Sequence, residues 1–263
     1  MNVSLIVGSS DSYSDCYEPF FHFLREYWPD CPKPVYLLTE NNIWNHEALP
    51  VVSSCNGDCA WGKNLRLTME NIKTDYIVLF MVDYFLARPV NHRHFLYFLE
   101  VAQSRRLPCL NFIPLATNSG AATPDGLVAM EKHLHYTINC QVALWEKKCL
   151  LHYIRDHESP HDFEIWGTRR AWQQDESFYT VDPAWETREG RIFEYTLTGG
   201  IRNGKWIKDL VEPMFREHGI TIDLTHRGFH QPVENRPLPT VATLFFRILK
   251  LPRHIYRRWL SLR

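Results

Sequence analysis

The chain has 263 residues, 45% of them hydrophobic and 22% charged, which suits one large domain with a sizeable core and excludes wholesale disorder. Its 29 Lys and Arg stand against 30 Asp and Glu, a net charge of −1 that argues against a general nucleic-acid binder. The balance hides an asymmetry: residues 240–263 hold six Lys or Arg and no acid, leaving 23 basic and 30 acidic residues before them.

Residues 3–8, VSLIVG, form a short apolar run ending in Ser9-Ser10-Asp11, the pattern of a buried strand that delivers a polar loop. Tyr17, Phe20, Phe21, Leu24 and Trp28 follow at helical spacing, and Pro29 stops them. Residues 35–40, VYLLTE, predict a second strand and 49–54, LPVVSS, a weaker third. Trp61, Leu65 and Met69 give a helix stripe before the strongest strand signal, YIVLFMV at 76–82. Strands alternating with helices predict βαβ units and a mostly parallel, Rossmann-like sheet over residues 1–105. The remainder predicts a mixed α/β half, with short strands near 109–113, 137–144, 193–198 and 220–224 and helices over 146–155, 161–173 and 204–218. Ligands of such open sheets sit beyond the carboxyl ends of the strands.

Three constellations could carry chemistry. Asp83 is an isolated acid at the end of the apolar strand 76–82 and before further apolar sequence. It either caps the next turn or faces a cleft, where it would meet a nucleotide ribose or hold a divalent cation on a diphosphate. Second, Glu158-Ser159-Pro160-His161-Asp162-Phe163-Glu164 reads as a helix start, with Ser159 as cap and Pro160 in the first turn. Glu164 then serves the helix dipole, beside a solvated Arg169-Arg170 pair, or acts as a general base with Asp162 as its rival. Third, Gly199-Gly200-Ile201-Arg202-Asn203-Gly204-Lys205 either shapes a hairpin or binds phosphate through backbone amides and its two cations.

The seven cysteines, at 16, 31, 55, 59, 109, 140 and 149, are odd in number and scattered, unlike a secreted disulfide framework. Cys55 and Cys59 lack a second pair or a His at zinc-finger spacing. The start of the chain has no basic region and too short an apolar run for a signal peptide, so a cytoplasmic protein is expected. At the other end, Leu244, Ile248, Leu251, Ile255, Trp259 and Leu262 form a helical stripe among Arg247, Lys250, Arg253, Arg257 and Arg258. Such a basic amphipathic tail packs on its own core or lies in an anionic membrane surface, and its lack of acids favours the membrane.

Together the segments VSLIVGSSDSYSD, YWPDCPKPVYLLTE, W-x-x-N-L-R-L at 61–67, TDYIVLFMVDYFL at 74–86, ESPHDFEIWGTRRA at 158–171 and GGIRNGKW at 199–206 resemble GT-A-fold glycosyltransferases of bacterial surface-polysaccharide (capsule or lipopolysaccharide) assembly. The resemblance implies one catalytic domain over 1–239, with a nucleotide-binding half (1–105), an acceptor half (106–239) and the 240–263 tail on the inner face of the cytoplasmic membrane. It implies a nucleotide-sugar donor held by Ser9, Ser10, Asp11, Asn64, Asp83, Arg202 and Lys205, and a glycan or lipid-linked acceptor deprotonated by Glu164 or Asp162, with inversion. It also implies a divalent cation, Mn or Mg, at Asp83, or a metal-independent site in which Arg202 and Lys205 neutralise the leaving diphosphate instead. The family pattern commonly carries two acids there, whereas Val82 precedes Asp83 and Phe85 stands at the second acid's spacing. A sugar-phosphate nucleotidyltransferase is the enzymatic alternative, but it needs a glycine-rich basic loop after the first strand, where this chain has SSDSYSD. A non-catalytic nucleotide-sugar-binding subunit at the membrane is the other alternative.

Overall fold

The computed structural model describes residues 2–113, 120–131, 133 and 135–231. The tail expected over 240–263, and the boundary before it, lie outside the described residues. Strand β1 (Val3–Gly8) leads through a 3-10 turn (Asp11–Cys16) into α1 (Tyr17–Tyr27). β2 (Val35–Thr39), β3 (Val51–Cys55), α2 (Trp61–Glu70), β4 (Tyr76–Met81) and α3 (His92–Arg105) follow. The second half holds β5 (Cys109–Asn111), β6 (Leu127–Ala129), β7 (Ala143–Glu146) and α4 (Lys147–Tyr153). It continues with α5 (Pro160–Asp162), a π-helical turn (Phe163–Gly167), α6 (Thr168–Ala171), β8 (Tyr179–Val181) and α7 (Pro183–Glu189). The small hairpin β9 (Ile201–Arg202) and β10 (Lys205–Trp206) precedes α8 (Lys208–Glu217).

The eight-stranded main sheet has the order β3-β2-β1-β4-β7-β5-β8-β6. β1 to β4 are parallel to one another, whereas β7 runs antiparallel to both β4 and β5. This is the mixed α/β architecture that the sequence predicts, with a parallel front half and a mixed back half. Alternation across the pleat explains how one strand serves two cores. Tyr76, Val78 and Phe80 of β4 face a cluster containing Phe20, Phe23, Trp28, Phe95 and Phe193, while Ile77 and Leu79 face Leu65, Trp145, Tyr153 and Phe163. Both faces of β4 are therefore buried, which is why it reads as a continuous apolar run.

The back half departs from the sequence expectation in several places. Residues 193–198 form no strand beyond a bridge between Leu86 and Tyr195; Phe193 and Tyr195 bury their rings against the sheet instead of entering it. Residues 220–224 form no strand either. Only the end of 137–144 joins the sheet, as β7, because the amides before it bond elsewhere. Ile138 N donates to Thr168 Oγ1, Cys140 N to Glu164 Oε1, Gln141 N to Asn139 Oδ1 and Val142 N to Tyr195 Oη. The helix expected over 161–173 is broken into α5, the π turn and α6, and that expected over 204–218 starts only after the hairpin. Among the described residues, no helix is long and apolar enough to cross a membrane.

One buried ion pair ties the back half to the front. Arg170, expected on the surface, is buried, and its Nη1 and Nη2 each donate to Glu158 at 2.8 Å, while Nη2 also reaches Tyr153 O. Glu158 Oε2 also accepts from Arg155 N, and Glu158 O accepts from Gly62 N at the start of α2. Removing one partner of such a pair strands the other charge, at a cost of about 3–5 kcal/mol. Glu158→Gln and Arg170→Met are each expected to lower unfolding stability by that order, measured in urea. Replacing both by apolar residues of matching volume is expected to cost less than either single change.

Candidate active site

The carboxyl ends of β1, β2 and β4 open into one cavity of about 450 Å³. Gly8, Ser9, Ser10 and Tyr13 line it from the β1 loop, Glu40 from the end of β2, and Met81 to Tyr84 from the end of β4. Cys59, Ala60 and Trp61 close it from the start of α2, and Cys140, Pro160, His161 and Glu164 from the back half. A Cβ on Gly8 would stand 2.7 Å from Met81 Sδ and 3.2 Å from Trp61 Nε1, so a larger residue there would displace the Met81 side chain.

Asp83 sits where the apolar strand ends. Its main chain accepts from Gly200 N at 2.7 Å, and a side chain on Gly199 (φ 71°) would meet Asp83 Oδ2. Among the described residues no side chain hydrogen-bonds its carboxylate. Burial pushes the carboxyl up to about 6, against smaller opposing effects from its own amide and the Arg227 charge. The glycines of GGIRNGKW thus meet Asp83 by close backbone approach. Arg202 and Lys205 pair across the β9–β10 hairpin, exposed and away from the lining residues.

Glu164 lies in the π turn, a helical irregularity that often re-aims a functional side chain. Its Oε1 accepts from Cys140 N at 2.9 Å, and its Oε2 lies 3.9 Å from His161 Nδ1. Burial raises its pKa above the usual carboxylate value, opposed by the Cys140 amide and His161. Asp162 is committed elsewhere: with Ser159 it forms a reciprocal helix cap, its Oδ2 accepting from Ser159 N and Oγ.

Of the other sequence candidates, Ser9 and Ser10 line the cavity, whereas Asp11 and Asn64 do not. Asp11 accepts from the amides of Glu40, Asn41 and Asn42, which together outweigh the upward push of burial and leave its carboxyl below the ordinary value. Asp11 N in return donates to Glu40 Oε2. Asn64 is buried, donating to Thr39 O and accepting from Asn56. Both residues shape the loops around the cavity.

Glu40 and Arg227 were not among the sequence candidates. Glu40 carries the same signal as Asp83, an acid closing an apolar strand. Arg227 carries none; it forms a two-pronged ion pair with Asp15, donates to Ser12 O and lies 4.7 Å over the Tyr13 ring. It thereby clamps the β1 loop from the far end of the described chain.

The described lining holds the acids Glu40, Asp83 and Glu164 and no Lys or Arg. The divalent cation implied by the resemblance fits this chemistry: hard oxygen donors, an Asp83 carboxylate without a side-chain partner, and an acidic surround. Asp83 stands in no cluster of three potential ligands among the described residues, so phosphate or water oxygens would complete the shell.

The raised Asp83 pKa has a stability consequence with a definite sign. The fold favours the protonated carboxyl, so its contribution is complete below the ordinary value of 3.8 and lost as pH rises through about 6. Asp83→Asn is therefore expected to stabilise the protein near neutral pH by on the order of 1–2 kcal/mol, with the gain vanishing in acid. Urea unfolding at both conditions checks this; a destabilised variant at neutral pH would contradict it.

No family model matches the chain, and no curated protein matches it. Among solved structures, the chain is similar to S. aureus TarS 1-349, with 13% identity over 72% of this chain and 63% of that one, at a TM-score of 0.46. It is also similar to the same protein in complex with UDP-GlcNAc (12% identity, 70% of this chain and 56% of that one, TM-score 0.48). A third is CMP:2-keto-3-deoxy-manno-octonic acid synthetase complexed with CTP (10% identity, 68% and 89%, TM-score 0.40). The chain spans less than two thirds of the TarS chains, 63% and 56% of the two above.

Proposed function

We propose that this chain is a glycosyltransferase that moves a sugar from a nucleotide-sugar donor to a glycan acceptor of cell-surface polysaccharide synthesis. The observation that supports this best is the convergence of Ser9, Ser10, Asp83 and Glu164, from three distant segments, on one cavity at the strands' carboxyl ends. Glu164 is the general base of this reading. Its Oε1 is held by Cys140 N–H, its Oε2 lies 3.9 Å from His161 Nδ1, and its raised pKa brings it nearer working pH. It takes the proton of an acceptor hydroxyl as that oxygen attacks the anomeric carbon. The bond from that carbon to the donor's diphosphate breaks on the opposite face, which inverts the centre. Asp83, ionised, orients the donor's diphosphate end, and a divalent cation bound there would neutralise the leaving charge. Ser9 and Ser10 offer hydroxyls and amides to the nucleotide beside β1.

The proposal extends to location. The acid-free basic stripe over 240–263 would hold the enzyme on the inner face of the cytoplasmic membrane, beside a lipid-linked acceptor.

Glu164→Gln is expected to lower transfer by about 10²- to 10⁴-fold while leaving donor binding intact, in a product assay with radiolabelled nucleotide-sugars. Transfer that survives the substitution overturns the assignment of the base. In the same preparation, a chain ending at Pro239 is expected to lose sedimentation with anionic vesicles, and unchanged sedimentation removes the membrane part.

A further inference from the structure

On the side of the molecule where α8 packs against α1, two histidines and a carboxylate meet. His22 and Glu26 stand one turn apart on α1, with His22 Nε2 3.3 Å from Glu26 Oε2. His218, the residue that ends α8, places its Nδ1 3.1 Å from the same oxygen. The three donor atoms lie within 4.8 Å of one another. Core packing brings the third group there: Phe215 of α8 stacks on Phe23 of α1, and the His218 ring sits edge-on to Phe23 at 4.9 Å.

We propose that His22, Glu26 and His218 form a zinc site that pins α8 to α1. Donors bound tetrahedrally at about 2.0–2.1 Å lie roughly 3.3 Å apart, close to the 3.3 and 3.1 Å that separate His22 Nε2 and His218 Nδ1 from Glu26 Oε2. Imidazole and carboxylate are ligand types that zinc takes, and two His with one carboxylate leave its fourth position to water. Partial exposure of all three side chains, 23%, 40% and 19%, gives the ion and that water an entry path. The outer partner expected of a ligating histidine is present too. His218 Nε2 lies 3.3 Å from Tyr27 Oη, which fixes the ring with Nδ1 turned to the metal.

The site is separate from the cavity of Asp83 and Glu164, none of whose lining residues it uses. It connects to that cavity through α1, which follows the β1 loop directly, and through the chain beyond α8, which carries Arg227 to the same loop.

The test is zinc titration of metal-stripped protein by calorimetry, with melting temperature as a second readout. One zinc per chain and a raised melting temperature are expected in the wild type and in Cys59→Ser. Both effects are expected to disappear in His22→Ala and in Glu26→Gln, whose partly exposed side chains make them unlike core substitutions. Cobalt loading is expected to give a d–d spectrum without a thiolate charge-transfer band. A wild type that takes no zinc, binding unchanged in His22→Ala and Glu26→Gln, or a thiolate band would each overturn the proposal. In the first case the three groups are a hydrogen-bonded cluster only.

Discussion

The position of Glu164 depends on Glu158, a carboxylate with no exposed surface. A charge so placed persists when it is paired and hydrogen-bonded, and here Arg170 and the Arg155 amide supply three hydrogen bonds to it. The same residue's carbonyl caps Gly62, and Asp156 O caps Lys63, so the first amides of α2 are spent inside the protein. The contact is close: a Cβ on Gly62 would lie 2.1 Å from Arg155 O. Ser159 and Pro160 then start the helical segment at a fixed point and bring Glu164 over Cys140. Remove the ion pair, and both the α2 wall of the cavity and the Glu164 carboxylate lose their reference.

The cavity itself is built against the stability of its own charges. Asp83, Glu40 and Glu164 all have pKa values raised first of all by burial. Such a site favours a ligand that returns positive charge to it, whether a cation on a diphosphate or protons shared with hydroxyl groups. Functional sites commonly hold groups at a cost to the fold, and perturbed carboxylates in a cleft are one form of it.

The front half was legible because its strands and helices are long enough to show their period. YIVLFMV at 76–82 could only be a strand buried on both faces, and the acid that ends it could only be capped or functional. The sequence marks Glu164 and Asp162 alike as candidate bases, because which carboxylate the Ser159 cap consumes, here Asp162, depends on the local backbone. Arg170 reads as solvated because its partner lies one helix start away and nothing in the order of residues marks burial, and the structure buries it against Glu158. Residues 193–198 alternate as a strand would, yet their main chain meets only the segment after β4, Glu194 O accepting from Ala87 N. Arg227 pairs with Asp15 across 212 positions, a contact that no local pattern encodes. In the GGIRNGKW segment the sequence marks the cations Arg202 and Lys205, while the approach to Asp83 is made by Gly199 and Gly200, whose closeness no local pattern encodes.

The central claim, that Asp83 lies in a nucleotide-sugar site, is tested most directly by thermal shift. UDP, GDP, CMP and their sugars would each be added with and without Mn²⁺, to the wild type and to Asp83→Ala. A ligand at 100 times its dissociation constant stabilises by about 2.7 kcal/mol, which such a scan resolves. The account predicts that one nucleotide class raises the melting temperature of the wild type, and that the rise is lost in Asp83→Ala. No response from any nucleotide, or an equal response in Asp83→Ala, would contradict it.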